Sequence, residues 1–142
     1  MIVLDANILL YAYDAASRSH VQARAWTERA FSGGEPIGLP WQTMGAFLRI
    51  VTHPGLAAGR RTVEEAVGVV EQWLDHPNVH ALGPGDRHWT ILRQMMLEGQ
   101  ARGALTTDAQ LAALTVEHGG VLHTTDRDFA RFPGLRWKNP LV

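Results

Sequence analysis

An α/β layer built on a parallel sheet is the fold class this sequence predicts, and three observations carry the prediction. Short apolar runs alternate along the chain with longer segments whose apolar residues recur at helical spacing. Helix-opening signatures stand at Ser19-His20-Val21-Gln22, Thr62-Val63-Glu64-Glu65 and Thr107-Asp108-Ala109-Gln110. Gly33-Gly34-Glu35-Pro36, His53-Pro54-Gly55 and Gly119-Gly120 break the chain between these segments.

Taken in order, Met1 to Asp5 reads as a buried first strand that ends in a carboxylate, and Ala6 to Tyr13 as a helix with Asp5 at its N-cap. A second helix runs from the Ser19 signature to about Phe31. Ile37 to Leu39 reads as a second strand, and Pro40 leads into a helix from Trp41 to about Thr52. Behind Thr62, the residues Val63, Ala66, Val67, Val70 and Leu74 have the spacing of a buried helical stripe. After the turn at His76-Pro77-Asn78, Val79 to Leu82 forms a strand. Gly83-Pro84-Gly85-Asp86 then opens a helix with Trp89, Leu92, Met95 and Met96 on its buried side. Ala109, Ala112, Ala113 and Val116 mark a closely packed helix, and Val121 to Thr124 is a strand that delivers Asp126. A turn of helix around Phe129 and a last strand near Leu135 to Trp137 complete the order. There is no internal repeat or linker, so residues 1–142 are expected to form one domain.

The composition narrows the chemistry. Cysteine is absent, which excludes disulfide scaffolds, thiolate zinc sites and iron–sulfur clusters, and a cytoplasmic location is expected. Asp5 interrupts the first apolar run, so no signal peptide is read there, and no segment has the apolar length of a membrane span. With 13 Lys and Arg against 14 Asp and Glu, the net charge is −1, so charge alone does not hold nucleic acid. The seven histidines show no zinc-binding spacing.

Four aspartates stand out once the elements are placed. Asp5 ends the first strand, Asp126 and Asp128 follow the strand at Val121, and Asp108 lies in the first turn of a helix. Ligands in open α/β sheets bind beyond the carboxyl ends of the strands, so these acids are candidates to converge there. Taken singly, each has a plainer role. Asp5 and Asp126 fit helix or turn caps, and Asp108 and Asp128 complement helix dipoles. Taken together, they repel by about 4 kcal/mol per pair at about 4 Å and an effective dielectric near 20, which a cation between them offsets. A donor set of oxygens selects a hard ion such as Mg²⁺ or Mn²⁺, which activates water and stabilises charge building on phosphorus.

Three segments carry a family resemblance: Asp5-Ala6-Asn7-Ile8-Leu9-Leu10, Thr107-Asp108-Ala109-Gln110-Leu111-Ala112-Ala113-Leu114 and Thr124-Thr125-Asp126-Arg127-Asp128-Phe129. In this order and at this chain length they resemble the PIN domain, and more narrowly the VapC-type toxins of bacterial VapBC toxin–antitoxin pairs. Trp41 to Pro54, with Phe47-Leu48-Arg49 and Thr52-His53-Pro54, resembles the same group. The resemblance implies a Rossmann-like α/β/α sandwich with a central, mainly parallel sheet and a Mg²⁺-dependent ribonuclease activity. It implies that Asp5, Asp108 and Asp126 hold the metal and that Asp128 supports it in catalysis. Asn7 would orient Asp5, and Thr124 would hydrogen-bond within the site. A VapB-type antitoxin, an RNA substrate and a homodimer are the implied partners, with no membrane.

One departure stands out. The family commonly has a Glu before the Phe-x-Arg segment, and Thr43-Met44-Gly45-Ala46 holds no acid there. A missing carboxylate implies weaker ion binding, with Gln42 or Thr43 as uncharged substitutes. It keeps open a second reading, a PIN-like binding module with weak or no nuclease activity. A phosphatase with Asp5 as nucleophile fits poorly, because Asn7 stands where a second Asp is wanted and Lys138 is the only lysine. Arg49, Arg60, Arg61 and Arg131 are candidate contacts to an RNA backbone, although for any one of them a solvent-facing helix position is the better explanation. Trp26, Trp73 and Trp89 read as core or dimer residues, and the apolar stretch from Phe47 to Leu56 as a subunit or antitoxin interface.

Overall fold

The computed structural model describes residues 1–55 and 60–142. Leu56, the end of the apolar stretch noted above, lies outside them. The elements are β1 (Ile2–Leu4), α1 (Ala6–Ala12), α2 (His20–Ser32), β2 (Ile37–Pro40), α3 (Trp41–Val51) and α4 (Val63–Asp75). They continue with β3 (Val79–Leu82), α5 (His88–Glu98), α6 (Leu105–Glu117), β4 (Val121–His123), a 3-10 turn (Arg127–Arg131) and β5 (Trp137–Lys138). The strands pair in the order β3-β2-β1-β4-β5, every pairing parallel. The predicted parallel α/β architecture is the one observed. No helix among the described residues is long and apolar enough to cross a membrane.

Alternation along β1 divides the molecule into two cores. Ile2 and Leu4 join one apolar cluster with residues of α1, α2, α3 and α4, whereas Val3 joins another with α5, α6 and the 3-10 turn. Helices therefore cover both faces of the sheet. On the first face Phe47 is wholly buried, 4.6 Å from the Trp73 ring and 5.6 Å from Tyr13, in edge-on contacts. The Trp73 indole N–H donates to the Tyr13 hydroxyl at 3.2 Å. On the second face Ala109, Ala112 and Ala113 are fully buried, and these small side chains bring α6 close to the sheet. The C-terminus of α6 turns through Gly119 at φ 69°. A Cβ on Gly120 would lie 2.5 Å from Cγ2 of Val3, so the chain passes close under β1 before entering β4.

Five local expectations are corrected. At Ser19 the backbone is at ψ 4° rather than extended, and its side chain makes no cap bond to α2. Helix α6 begins at Leu105, ahead of the predicted Thr107 signature. The buried line of α4 is Ala66, Val69, Val70 and Trp73, with Val63, Val67 and Leu74 exposed, and Trp89 on α5 is 68% exposed. Phe47 belongs to the core, so it offers no surface to a partner. The Thr62 capping box is present in both arms, Glu65 N–H to Thr62 Oγ1 at 3.1 Å and Thr62 N–H to Glu65 Oε1 at 3.0 Å.

Truncating Phe47 to Ala leaves a void between Tyr13 and Trp73. Urea denaturation is expected to show a loss of about 3–5 kcal/mol.

Candidate active site

Parallel pairing of β1 with β4 sets the register Leu4 opposite His123, so Asp5 and Thr124 emerge side by side at the carboxyl edge. The Asp5 N–H donates to the His123 carbonyl at 3.1 Å and extends this pairing by one residue. β1 has β2 on one side and β4 on the other, so the chain changes direction across the sheet at this edge. Such a switch point leaves a crevice beyond the strand ends.

The Thr124 hydroxyl joins the groups at this edge. Fully buried, it donates to Oδ2 of Asp5 at 2.7 Å and accepts the Asp126 backbone N–H at 3.1 Å. Asn7 Nδ2 donates to Thr124 Oγ1 at 3.4 Å and to Thr125 Oγ1 at 3.0 Å. The second oxygen of Asp5 accepts the Ala6 N–H at 2.7 Å, at the head of α1. Asp126 caps the 3-10 turn, its Oδ1 accepting the Asp128 N–H at 2.8 Å. Asp5 and Asp126 are thus capping residues that also share one hydroxyl. Asp108 is half-buried in the first turn of α6, and Asp128 is exposed.

The electrostatics follow from this crowding. Burial pushes Asp5 above the ordinary carboxylate range; the Thr124 and Ala6 hydrogen bonds pull it back, and the Asp126 charge adds to the rise. Asp108 is pushed up to about 6, first by burial and then by the charges of Asp126, Asp5 and Asp128, with Arg131 acting in the opposite direction. The close acid–base pairs among the described residues, Arg24 with Glu28 and His88 with Glu117, lie elsewhere. The aspartates are close enough to perturb one another. No three His, Asp or Glu side chains among the described residues are placed to enclose an ion.

The donor set still suits a hard cation. Its side-chain groups are carboxylate, hydroxyl and amide oxygens. Asn7 Oδ1 is buried without a hydrogen-bond partner among the described residues, an acceptor left over on the residue whose amide donates to Thr124 and Thr125. The position of the missing acid is filled differently. Thr43 is buried, and its hydroxyl donates to the Leu4 carbonyl at 2.7 Å, which ties α3 to the end of β1. Gln42 Nε2 donates to the Thr107 carbonyl at 3.3 Å, one residue before Asp108.

Sequence reasoning missed Thr125 as the second partner of Asn7, although it stands inside the motif that named Thr124. Of the arginines, Arg61 lies over the Tyr13 ring at 5.3 Å and donates to the Tyr13 carbonyl, away from the aspartates. A pocket of about 400 Å³ near Tyr13, His20, Arg24 and Thr27 includes none of the four acids.

Asp108→Asn tests the crowding in metal-free buffer. The folded pKa of about 6 lies above the unfolded value near 3.9, so ionised Asp108 destabilises the fold above pH 6 and not below pH 4. The variant is expected to melt higher than wild type at pH 7.5 and at the same temperature at pH 4. A difference independent of pH would contradict the crowding.

Comparison with known proteins identifies the family. The sequence model of the PIN domain matches residues 2–135. Ribonuclease VapC33 of Mycobacterium tuberculosis is 38% identical over 99% of this chain and 99% of its own. Ribonuclease VapC43 of the same organism is 37% identical over 99% and 96%. Among solved structures, VapBC-1 from nontypeable Haemophilus influenzae superposes with a TM-score of 0.72 at 19% identity, covering 100% of both chains. Mycobacterium tuberculosis VapC20, described as a sarcin–ricin loop cleaving toxin, gives 0.68 at 15% identity over 96% of this chain and 99% of its own. On the whole-length match and the similarity to these ribonucleases, the chain belongs to the PIN domain family and, within it, to the VapC group.

Proposed function

We propose that the protein is an endoribonuclease that hydrolyses RNA phosphodiester bonds with the help of Mg²⁺, as the toxin of a VapBC-type pair. The single observation that carries this reading is the linkage of Asp5 and Asp126 through Thr124, with Asp108 near enough to be pushed up by both and by Asp128, and none of the four acids in a close ion pair among the described residues. The curated relatives named as VapC ribonucleases support it.

Asp5, Asp108 and Asp126 would hold the ion, with Asp128 supporting them and the buried Asn7 Oδ1, without a hydrogen-bond partner among the described residues, as a further oxygen donor. When bound, Mg²⁺ supplies a Lewis acid for the phosphate and lowers the pKa of a coordinated water. The residues do the rest. Thr124 and the Ala6 N–H fix both oxygens of Asp5, so this carboxylate keeps its orientation as charge moves. Asp126, held by Thr124 through its backbone and by the Asp128 N–H through its side chain, would orient the attacking water. Asp128, which is exposed, would accept its proton.

Thr43 adds no charge, so the site has fewer carboxylates than its family commonly supplies and would hold the ion more weakly. The same observation favours a second reading, a domain that binds RNA or antitoxin without cutting. The VapBC complexes among the structural neighbours support a VapB-type antitoxin as partner. A homodimer acting in the cytoplasm completes the proposal; light scattering would then give twice the 15.7 kDa of one chain.

Cleavage of a structured RNA panel decides between the readings. Wild type is expected to cut with Mg²⁺ and to stop when EDTA is added, and Asp5→Ala to cut at least about a hundredfold more slowly. Equal cleavage by both proteins would contradict the nuclease reading. Uptake of Mg²⁺ without any cleavage would leave the binding module.

A further inference from the structure

We infer that Arg131 is a substrate-contact residue, its guanidinium donating to a backbone phosphate of the RNA that enters the aspartate cluster. The inference rests on the nuclease reading above and selects one of the four arginines the sequence offers. Arg61 is held over Tyr13, Arg60 reaches the Pro54 carbonyl at 3.5 Å, and Arg49 lies in the last turn of α3, at the opposite end from Gln42. Arg131 ends the 3-10 turn that Asp126 caps and that carries Asp128.

The side chain is fixed at one end only. Nη1 donates to the Gly99 carbonyl at 3.2 Å, where Gly99 closes α5, and the residue is otherwise exposed. Its charge reaches Asp108, yet it forms no ion pair with any carboxylate among the described residues. A guanidinium beside several acids gains Coulomb energy by pairing with one of them. This one is turned instead toward a backbone carbonyl, which leaves further N–H groups of its planar fork for an incoming anion. RNA approaching the site carries phosphates that the aspartates repel. A fixed cation at the rim offsets this repulsion and orients the strand.

The plainer role for Arg131 is a brace between the 3-10 turn and the negative end of α5, and the test separates the two. Arg131→Gln keeps an N–H donor for the Gly99 carbonyl and removes the charge; Arg131→Lys keeps the charge. Binding of a fluorescein-labelled, 2′-O-methyl single-stranded RNA would be followed by anisotropy in Mg²⁺ across a series of KCl concentrations. The Gln variant is expected to bind roughly tenfold more weakly, with a log K against log salt slope smaller by about 0.7 and an unchanged melting temperature. The Lys variant is expected to recover the slope. Equal slopes and affinities for wild type and the Gln variant, or a wild type that does not bind this RNA, would overturn the inference. Asp5→Ala in the cleavage assay keeps the two readings apart. If Asp5→Ala is inactive while Arg131→Gln binds like wild type, only the role of Arg131 is lost.

Discussion

The hydrogen bond from the Thr124 hydroxyl to Asp5 is the interaction on which the site depends. It is possible because β1 and β4 run parallel in a register that brings their last residues level, although these lie 119 positions apart in sequence. The same hydroxyl receives the Asp126 N–H, so one buried oxygen sets the first strand end against the loop that carries two further acids. Without the β1/β4 pairing there would be two capping aspartates on separate elements and no shared crevice. The two apolar cores, one on each face, hold the sheet that makes this register possible.

The fold carries a local electrostatic cost at this edge. Burial and mutual repulsion raise Asp5 and Asp108, and hydrogen bonds recover part of that for Asp5. Asp108, with no comparable donor among the described residues, is pushed up to about 6. Strain of this kind concentrates at functional sites, where the surrounding structure over-determines the geometry. A cation would reverse the sign of the effect, turning repulsion between carboxylates into shared attraction. Thr43 sets a limit to it, because its hydroxyl is engaged with the Leu4 carbonyl in the interior and contributes to the fold rather than to charge.

Much of the architecture was legible because alternation, glycine breaks and apolar spacing act locally. The first strand, its terminal carboxylate and the helix at Asp5 could be read from a handful of adjacent residues. The phase of a helix was harder. Apolar residues on α4 and α5 extend round more than one face, so Ala66, Val70 and Met95 are buried as expected, whereas Val69 and Trp73 join them and Val63, Val67, Leu74 and Trp89 are left in solvent. Ser19 and Thr62 head similar sequence patterns, but only Thr62 has the extended backbone that turns its hydroxyl toward the helix. The site was legible as a set of aspartates. Its joints were not: Thr124 to Asp5, Asn7 to Thr125 and Gln42 to Thr107 span long sequence separations, and only the folded register decides them.

The central claim is that these aspartates are gathered to share a divalent ion, and anomalous diffraction from crystals soaked in Mn²⁺ tests it most directly. The account predicts a peak within coordination distance of the carboxylates of Asp5 and Asp108, with Asp126 alongside. Crystals with Mn²⁺ bound at other surface carboxylates and none at this edge would contradict it.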